Sequence, residues 1–215
     1  MYVYDQGKNM IDLYYWGTPN GFKISIALEE MGLDYQLHAI NISKNEQFAP
    51  DFLKISPNNK IPALVDHDTP DGQPISVFES GAILQYLGRK TGQFYPQDLR
   101  QQVEVEQWLM WQMGGFGPML GQNHHFSRFA PERLEYPTKR YQDETKRLYG
   151  VLNERLKDRD YVAGDYSIAD MAIVPWMHRH EWQGIDLNDY PHAKAYFERV
   201  MARPAVQKAF SIKVA

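Results

Sequence analysis

Two spacings of apolar residues divide the chain. From Ile11 to about Gly88, short apolar runs alternate with runs of helical period. IDLYYW predicts a strand, NGFKISIALEEMG a helix closed by Gly32, and DYQLHAIN a second strand, together a βαβ unit. A short helix over APDFLKIS follows, then a strand over Ala63, Leu64 and Val65, and another over PISVF after the turn DTPDGQ. The helix SGAILQYLGRKTG places Ile83, Leu84 and Leu87 on one face. The order βαβ, α, ββ, α is that of an α/β thioredoxin-like domain.

Beyond about Arg100 the strand pattern stops. VEVEQWLMWQMGG, the long PERLEYPTKRYQDETKRLYGVLNERLKDR with Tyr141, Leu148, Leu152 and Leu156 on one stripe, SIADMAIVPWMHRHEW and PHAKAYFERVMARP all predict amphipathic helices. The second half therefore predicts an all-α helical bundle. QFYPQDLRQ, residues 93–101, carries a proline and little apolar period, which marks a linker. The expected division is an arm over 1–10, an α/β domain over 11–92, that linker, and a helical domain over 102–215.

Composition narrows the function. A net charge of -4 with Lys and Arg dispersed leaves no basic stripe for a phosphate backbone, so nucleic acid is not an expected partner. The first ten residues have no apolar signal core and no apolar run approaches membrane-spanning length, which gives the expectation of a soluble, cytoplasmic protein with no membrane partner. Cysteine is absent. Disulfide staples, CxxC redox pairs and thiolate metal sites are thereby excluded, and any sulfur chemistry must use a ligand's thiol.

Several short motifs carry candidate chemistry. Pro62 stands at the start of the ALV strand, where it brings no N–H to a ladder; by itself it also reads as the end of a loop. Ser80 opens a helix whose free N–H groups favour an anion, with Glu79 beside it; alone, the pair reads equally as an N-cap and a solvated acid. TPNG puts Thr18 and Asn20 at another helix start, as hydrogen-bond donors or as cap and turn residues. GQNHHF offers Asn123, His124 and His125 at an expected helix break, either lining a cleft or holding a helix junction; adjacent histidines without an acidic partner make a poor metal site. Ser167 and Asp170 in SIAD form a capping-box pattern, read as structural.

A thioredoxin-like half with NKIPALVD and FESGAILQYL joined to a helical half with YSIADMAIVPW resembles the glutathione transferase family over about Ile11 to Pro204. The strings TPNGFKI, ISPNNKIPALVD, VFESGAILQYL and PMLGQNHHF are similar to its bacterial Nu class, whose members are associated with glutathione-dependent disulfide reduction. The resemblance implies glutathione as cosubstrate and a cis bond before Pro62, with Ile61 pairing to the tripeptide backbone as a short added strand. It implies Ser80 and Glu79 as partners of the γ-glutamyl carboxylate and ammonium, and Lys60 and Gln47 as candidates for the glycyl carboxylate. Thr18 and Asn20 are the expected catalytic pair at the sulfur. Better-known classes use a Tyr or Ser hydroxyl, so Tyr14 and Tyr15 keep a tyrosine mechanism open. Asn123 is expected to face the cleft, and Arg140 to reach a glutathione carboxylate across a subunit interface.

The expected activity is disulfide reduction by bound glutathione thiolate on small-molecule or peptide disulfides. The alternatives are conjugation of electrophiles or peroxide reduction, and a non-catalytic binding or regulatory role on the same fold. A homodimer is expected from the resemblance and from Trp108 and Trp111 on one bundle helix.

Overall fold

A computed structural model describes residues 11–214, so the arm expected over 1–10 lies outside the described residues. Four strands form one mixed sheet in the order β2-β1-β3-β4: β1 (Ile11–Tyr15), β2 (Tyr35–Ala39), β3 (Ala63–Asp66) and β4 (Ile75–Phe78). β1 runs parallel to β2 and antiparallel to β3, and β3 is antiparallel to β4. Leu37, Leu13, Leu64 and Val77 face one another across this register, so the apolar positions read from sequence form one row.

Helix α1 (Pro19–Met31) connects β1 to β2. It starts with Thr18 as cap and Pro19 in the first turn, and ends at Gly32 in the left-handed conformation. Gly21 is required by contact: a Cβ there would lie 2.2 Å from the Trp16 carbonyl oxygen. Helix α2 (Pro50–Ile55) precedes β3, and α3 (Ser80–Thr91) follows β4 and buries Ile83, Leu84 and Leu87.

The helical half comprises α4 (Leu99–Trp111), α5 (Gly117–His124), α6 (Glu135–Arg155), α7 (Ile168–Met177), α8 (Pro191–Met201) and α9 (Pro204–Phe210). α4 begins at Leu99, inside the stretch expected as linker. A π turn over Gln112–Phe116 joins α4 to α5, and another over His125–Phe129 follows α5. The break expected at GQNHHF is thus helical; the chain passes through widened turns instead of leaving the helix. Both halves share one core. α1 packs against α3, α7 and α9, and Arg203 of the turn before α9 donates from Nε and Nη2 to Glu30 at 2.6 and 2.8 Å. A bidentate pair of this kind fixes orientation as well as proximity.

The SIAD motif behaves as a cap. Ser167 Oγ accepts from the Ala169 N–H, while Asp170 accepts from the N–H groups of Ser167 and Val162 at 2.8 and 3.1 Å. Among the described residues no helix is long and apolar enough to cross a membrane.

Candidate functional site

The bond between Ile61 and Pro62 is cis, and the β3 ladder begins only at Ala63. Ile61 therefore sits outside the sheet register, half-exposed on the wall of a cavity of about 250 Å³. Asn20, Ser56, Lys60, Pro62, Phe78, Glu79, Ser80 and Met113 form the rest of that wall.

Opposite Ile61 the chain enters α3. Ser80 is the first residue of that helix and is 4% exposed, so its hydroxyl and the free N–H groups of the first turn face the same region. Glu79 adopts φ 70°, a conformation that favours glycine, and its carboxylate accepts from Asn58 Nδ2 at 3.4 Å. A left-handed Glu holding a carboxylate at a helix start places a negative group beside a site of positive helix polarity. The two together suit a zwitterion.

Asn20 supplies a donor whose direction is fixed from the other domain. Trp176 Nε1 on α7 donates to Asn20 Oδ1 at 3.1 Å. An indole N–H only donates, so the atom it meets is the amide oxygen and the NH2 group is left for the cavity. Gly117 keeps this arrangement open, since a Cβ there would approach Trp176 Nε1 to 3.0 Å and Gln112 Nε2 to 2.4 Å. Thr18 is not part of the cavity wall. Its Oγ1 accepts from the Gly21 N–H at 3.3 Å as the cap of α1, which leaves the hydroxyl hydrogen available.

Beneath this wall lies a residue without a sequence signal. Lys23 on α1 is 1% exposed and donates from Nζ to Gln112 Oε1 at 2.7 Å, Ser80 Oγ at 3.3 Å and Met113 Sδ at 3.4 Å. Burial pulls its pKa down to about 7, against the opposing charge of Glu79.

The remaining candidates lie elsewhere. Tyr15 is 0% exposed, its hydroxyl lacks a partner, and burial raises it to about 12; Tyr14 stacks on His38. Neither lines the cavity. Asn123 is fully buried and spends its amide on Thr145 Oγ1, the Gln183 carbonyl and the Ser127 hydroxyl, so it holds helices together and does not face the cleft. His124 stacks on Trp176 and is pushed down to about 4 by burial, which keeps it neutral. Gln47 stands on the turn Glu46–Phe48, away from the cavity wall. Arg140, exposed on α6, lines a separate groove with Met119, Tyr136 and Arg147. Sequence reasoning missed Ser56, Met113, Lys23 and Trp176. The helix-start motifs and Pro62 pointed to one another; Lys23, Met113 and Trp176 sit in ordinary apolar or amphipathic runs and Ser56 in the polar loop after α2, with no spacing to announce them.

A thioredoxin-like sheet with a cavity at its cis-proline edge, packed against a helical bundle, defines the class, and two family models match it. Residues 10–89 match the glutathione S-transferase N-terminal domain and residues 115–204 the C-terminal domain. The chain belongs to the glutathione S-transferase family. It is 54% identical over 202 residues to the disulfide-bond oxidoreductase YfcG of Escherichia coli (strain K12), covering 93% of this chain and 94% of that one. A crystal structure of a Pseudomonas putida glutathione transferase with one glutathione disulfide per subunit superposes with a TM-score of 0.91 at 43% identity, over 98% and 95% of the two chains. A family member from Pseudomonas fluorescens pf-5, with two glutathiones bound, gives the same TM-score and identity over 98% and 96%.

Proposed function

We propose that the protein reduces disulfides with glutathione, every reacting sulfur coming from ligands. The observation that carries this reading is a cysteine-free chain whose cavity combines a peptide edge at Ile61, an acid at Glu79, a helix-start hydroxyl at Ser80 and an oriented amide donor at Asn20. The donor set fits the tripeptide: Ser80 and the α3 N-terminus take the γ-glutamyl carboxylate, Glu79 the ammonium, and the Ile61 backbone the cysteinyl peptide group. Lys60 at one end of the wall, with Gln47 beyond it, serves the glycyl carboxylate. The name of the Escherichia coli relative and the disulfide and paired glutathiones of the solved relatives support the reaction.

The thiolate of a first glutathione attacks a small-molecule or peptide disulfide. One S–S bond breaks, a mixed disulfide forms, and one substrate thiolate leaves. A second glutathione thiolate then attacks the glutathione sulfur of that mixed disulfide, releasing glutathione disulfide and the other substrate thiolate, so two electrons pass from two thiols to one disulfide. The Asn20 NH2 holds the attacking sulfur and favours its charged form, and the Thr18 hydroxyl, two residues away and outside the cavity wall, reaches the sulfur only when glutathione extends toward the start of α1. The protein contributes position and charge stabilisation alone.

The reading extends to a homodimer of the Nu class in the cytoplasm, where reduced glutathione is abundant. Trp108 and Trp111 do not support the dimer, because both pack on the protein's own core. Leu99, Val103 and Met110 do: they are exposed along one face of α4. Arg140 acts on glutathione only from a partner subunit, and sedimentation to a monomer at micromolar concentration would remove it from the site.

The test is glutathione-dependent reduction of bis(2-hydroxyethyl) disulfide. Asn20→Ala and Thr18→Ala should each lower kcat more than they weaken glutathione binding, whereas Tyr15→Phe should change little. Conjugation of an electrophile without disulfide reduction would make the protein a conjugating transferase. Inertness together with no retention on immobilised glutathione would make it a non-catalytic member of the fold.

A further inference from the structure

Lys23 presents a physical problem that the reaction above does not use. A buried ammonium is costly unless a negative group compensates it, and the three acceptors of Lys23 are an amide oxygen, a hydroxyl and a thioether, all neutral. Two of them, Ser80 and Met113, are themselves the cavity wall. The charge therefore stands one side chain behind the surface where a ligand would lie. The contact with Ser80 is directional as well: an ammonium only donates, so Ser80 Oγ accepts from it and the hydroxyl hydrogen is free to be donated to something else.

Those features describe a site awaiting an anion. We propose that Lys23 is the counter-charge of the ligand's γ-glutamyl carboxylate, acting through the Ser80 hydroxyl, and that the site takes up a proton as it fills. Lys23 is a positioning residue; it rests on the glutathione reading and adds a regulation to it. Before binding, burial leaves the lysine only partly protonated at neutral pH. The arriving carboxylate supplies the missing negative charge and favours the ammonium. Binding is then strongest below about pH 7 and weakens as pH rises, because above that value a proton must be recruited to complete the site.

The groups around Lys23 leave it little other control. Glu79 faces it from the start of α3 and opposes the effect of burial. Arg89 and Lys90 lie in the last turn of α3, away from Ser80. On α7, Asp170 sits in the first turn and is engaged by Ser167 and Val162, and His178 follows the last turn and packs on Phe210. On α9, Lys208 pairs with Glu29 at 2.7 Å, and Arg203 before it pairs with Glu30. The π turn contributes Gln112 and Met113, neither ionisable.

S-methylglutathione tests the proposal because it has no thiol proton of its own. Titration calorimetry at pH 7.5 in phosphate and in Tris, whose ionisation heats differ, should give an uptake of about three-quarters of a proton per site. Affinity should fall by about eightfold in all between pH 6.5 and 8.0. Lys23→Met should bind at least about tenfold more weakly at pH 6.5 and should lose both the proton uptake and the pH slope. Binding to the unmodified protein without proton uptake would overturn the role of Lys23 and leave the glutathione site standing. Absence of any binding would overturn both. The measurement on the unmodified protein decides even if Lys23→Met fails to fold.

Discussion

Trp176 has one hydrogen to give and Asn20 receives it, so the direction of that amide is set from α7 in the helical half. Trp176→Phe keeps much of the aromatic packing on His124 and removes only the donor. The Asn20 amide is then free to present its oxygen to the sulfur, and kcat for disulfide reduction should fall about three- to tenfold while glutathione affinity changes less than about twofold. Steady-state kinetics beside calorimetry checks the split. Glu79 allows a similar separation, because its left-handed backbone is tolerated by Gly and resisted by Ala. Glu79→Gly and Glu79→Ala should lose glutathione affinity alike, by about 1.5–3 kcal/mol for the lost charged hydrogen bond. In thermal melts Glu79→Ala should be the less stable of the two by about 0.5–1 kcal/mol. Equal stability would mean that the backbone at 79 is relaxed. At this scale the sequence was legible where a residue opens a helix or breaks a ladder, as Thr18, Asn20, Ser80 and Pro62 do. It was opaque at Lys23, set between Phe22 and Ile24 in an apolar run, where neither neighbour signals a buried charge.

The elements followed the spacing of their apolar residues, and the differences occur where backbone geometry changes without a change of period. A π turn keeps helical hydrogen bonding while adding a residue to the turn, so Gln112–Phe116 and His125–Phe129 read in sequence as helix or as break with equal ease. Of the two readings of GQNHHF, Asn123 takes the helix junction and not the cleft, because α5 turns its side chain inward toward Thr145 and Gln183. SIAD was legible because a capping box has fixed chemistry at fixed spacing. Asp170 there serves two donors inside the fold, and Asp170→Ala would orphan the buried N–H of both Ser167 and Val162. Denaturant titration should show a loss of about 3 kcal/mol, and with glutathione bound to saturation the kinetic constants of the surviving folded protein should be close to the original. A large kcat defect at full folding would place Asp170 in the chemistry.

For the molecule as a whole, a buried lysine links ionisation to stability. The pKa of Lys23 is about 7 when folded and 10.5 as the ordinary value, so between those limits the unfolded chain holds more protons than the native one. Stability from this group therefore rises as pH increases from about 7 to 10.5, by at most about 1.4 kcal/mol per unit. Ligand-free unmodified protein should gain on Lys23→Met across that window, read as the difference between two chemical-denaturation series. A constant difference would mean that the lysine is as protonated in the native state as in the unfolded one. The thioether of Met113 in the cavity wall carries a last consequence. Oxidants meet two kinds of sulfur here, one belonging to the polypeptide and one on loan. A thioether forms no disulfide and stops first at a sulfoxide that cells can repair, while a spoiled thiol departs with its carrier and is replaced by the next molecule from solution. The catalyst's most perishable part is thus a consumable, and oxidative wear of the cavity wall falls on its methionine, Met113.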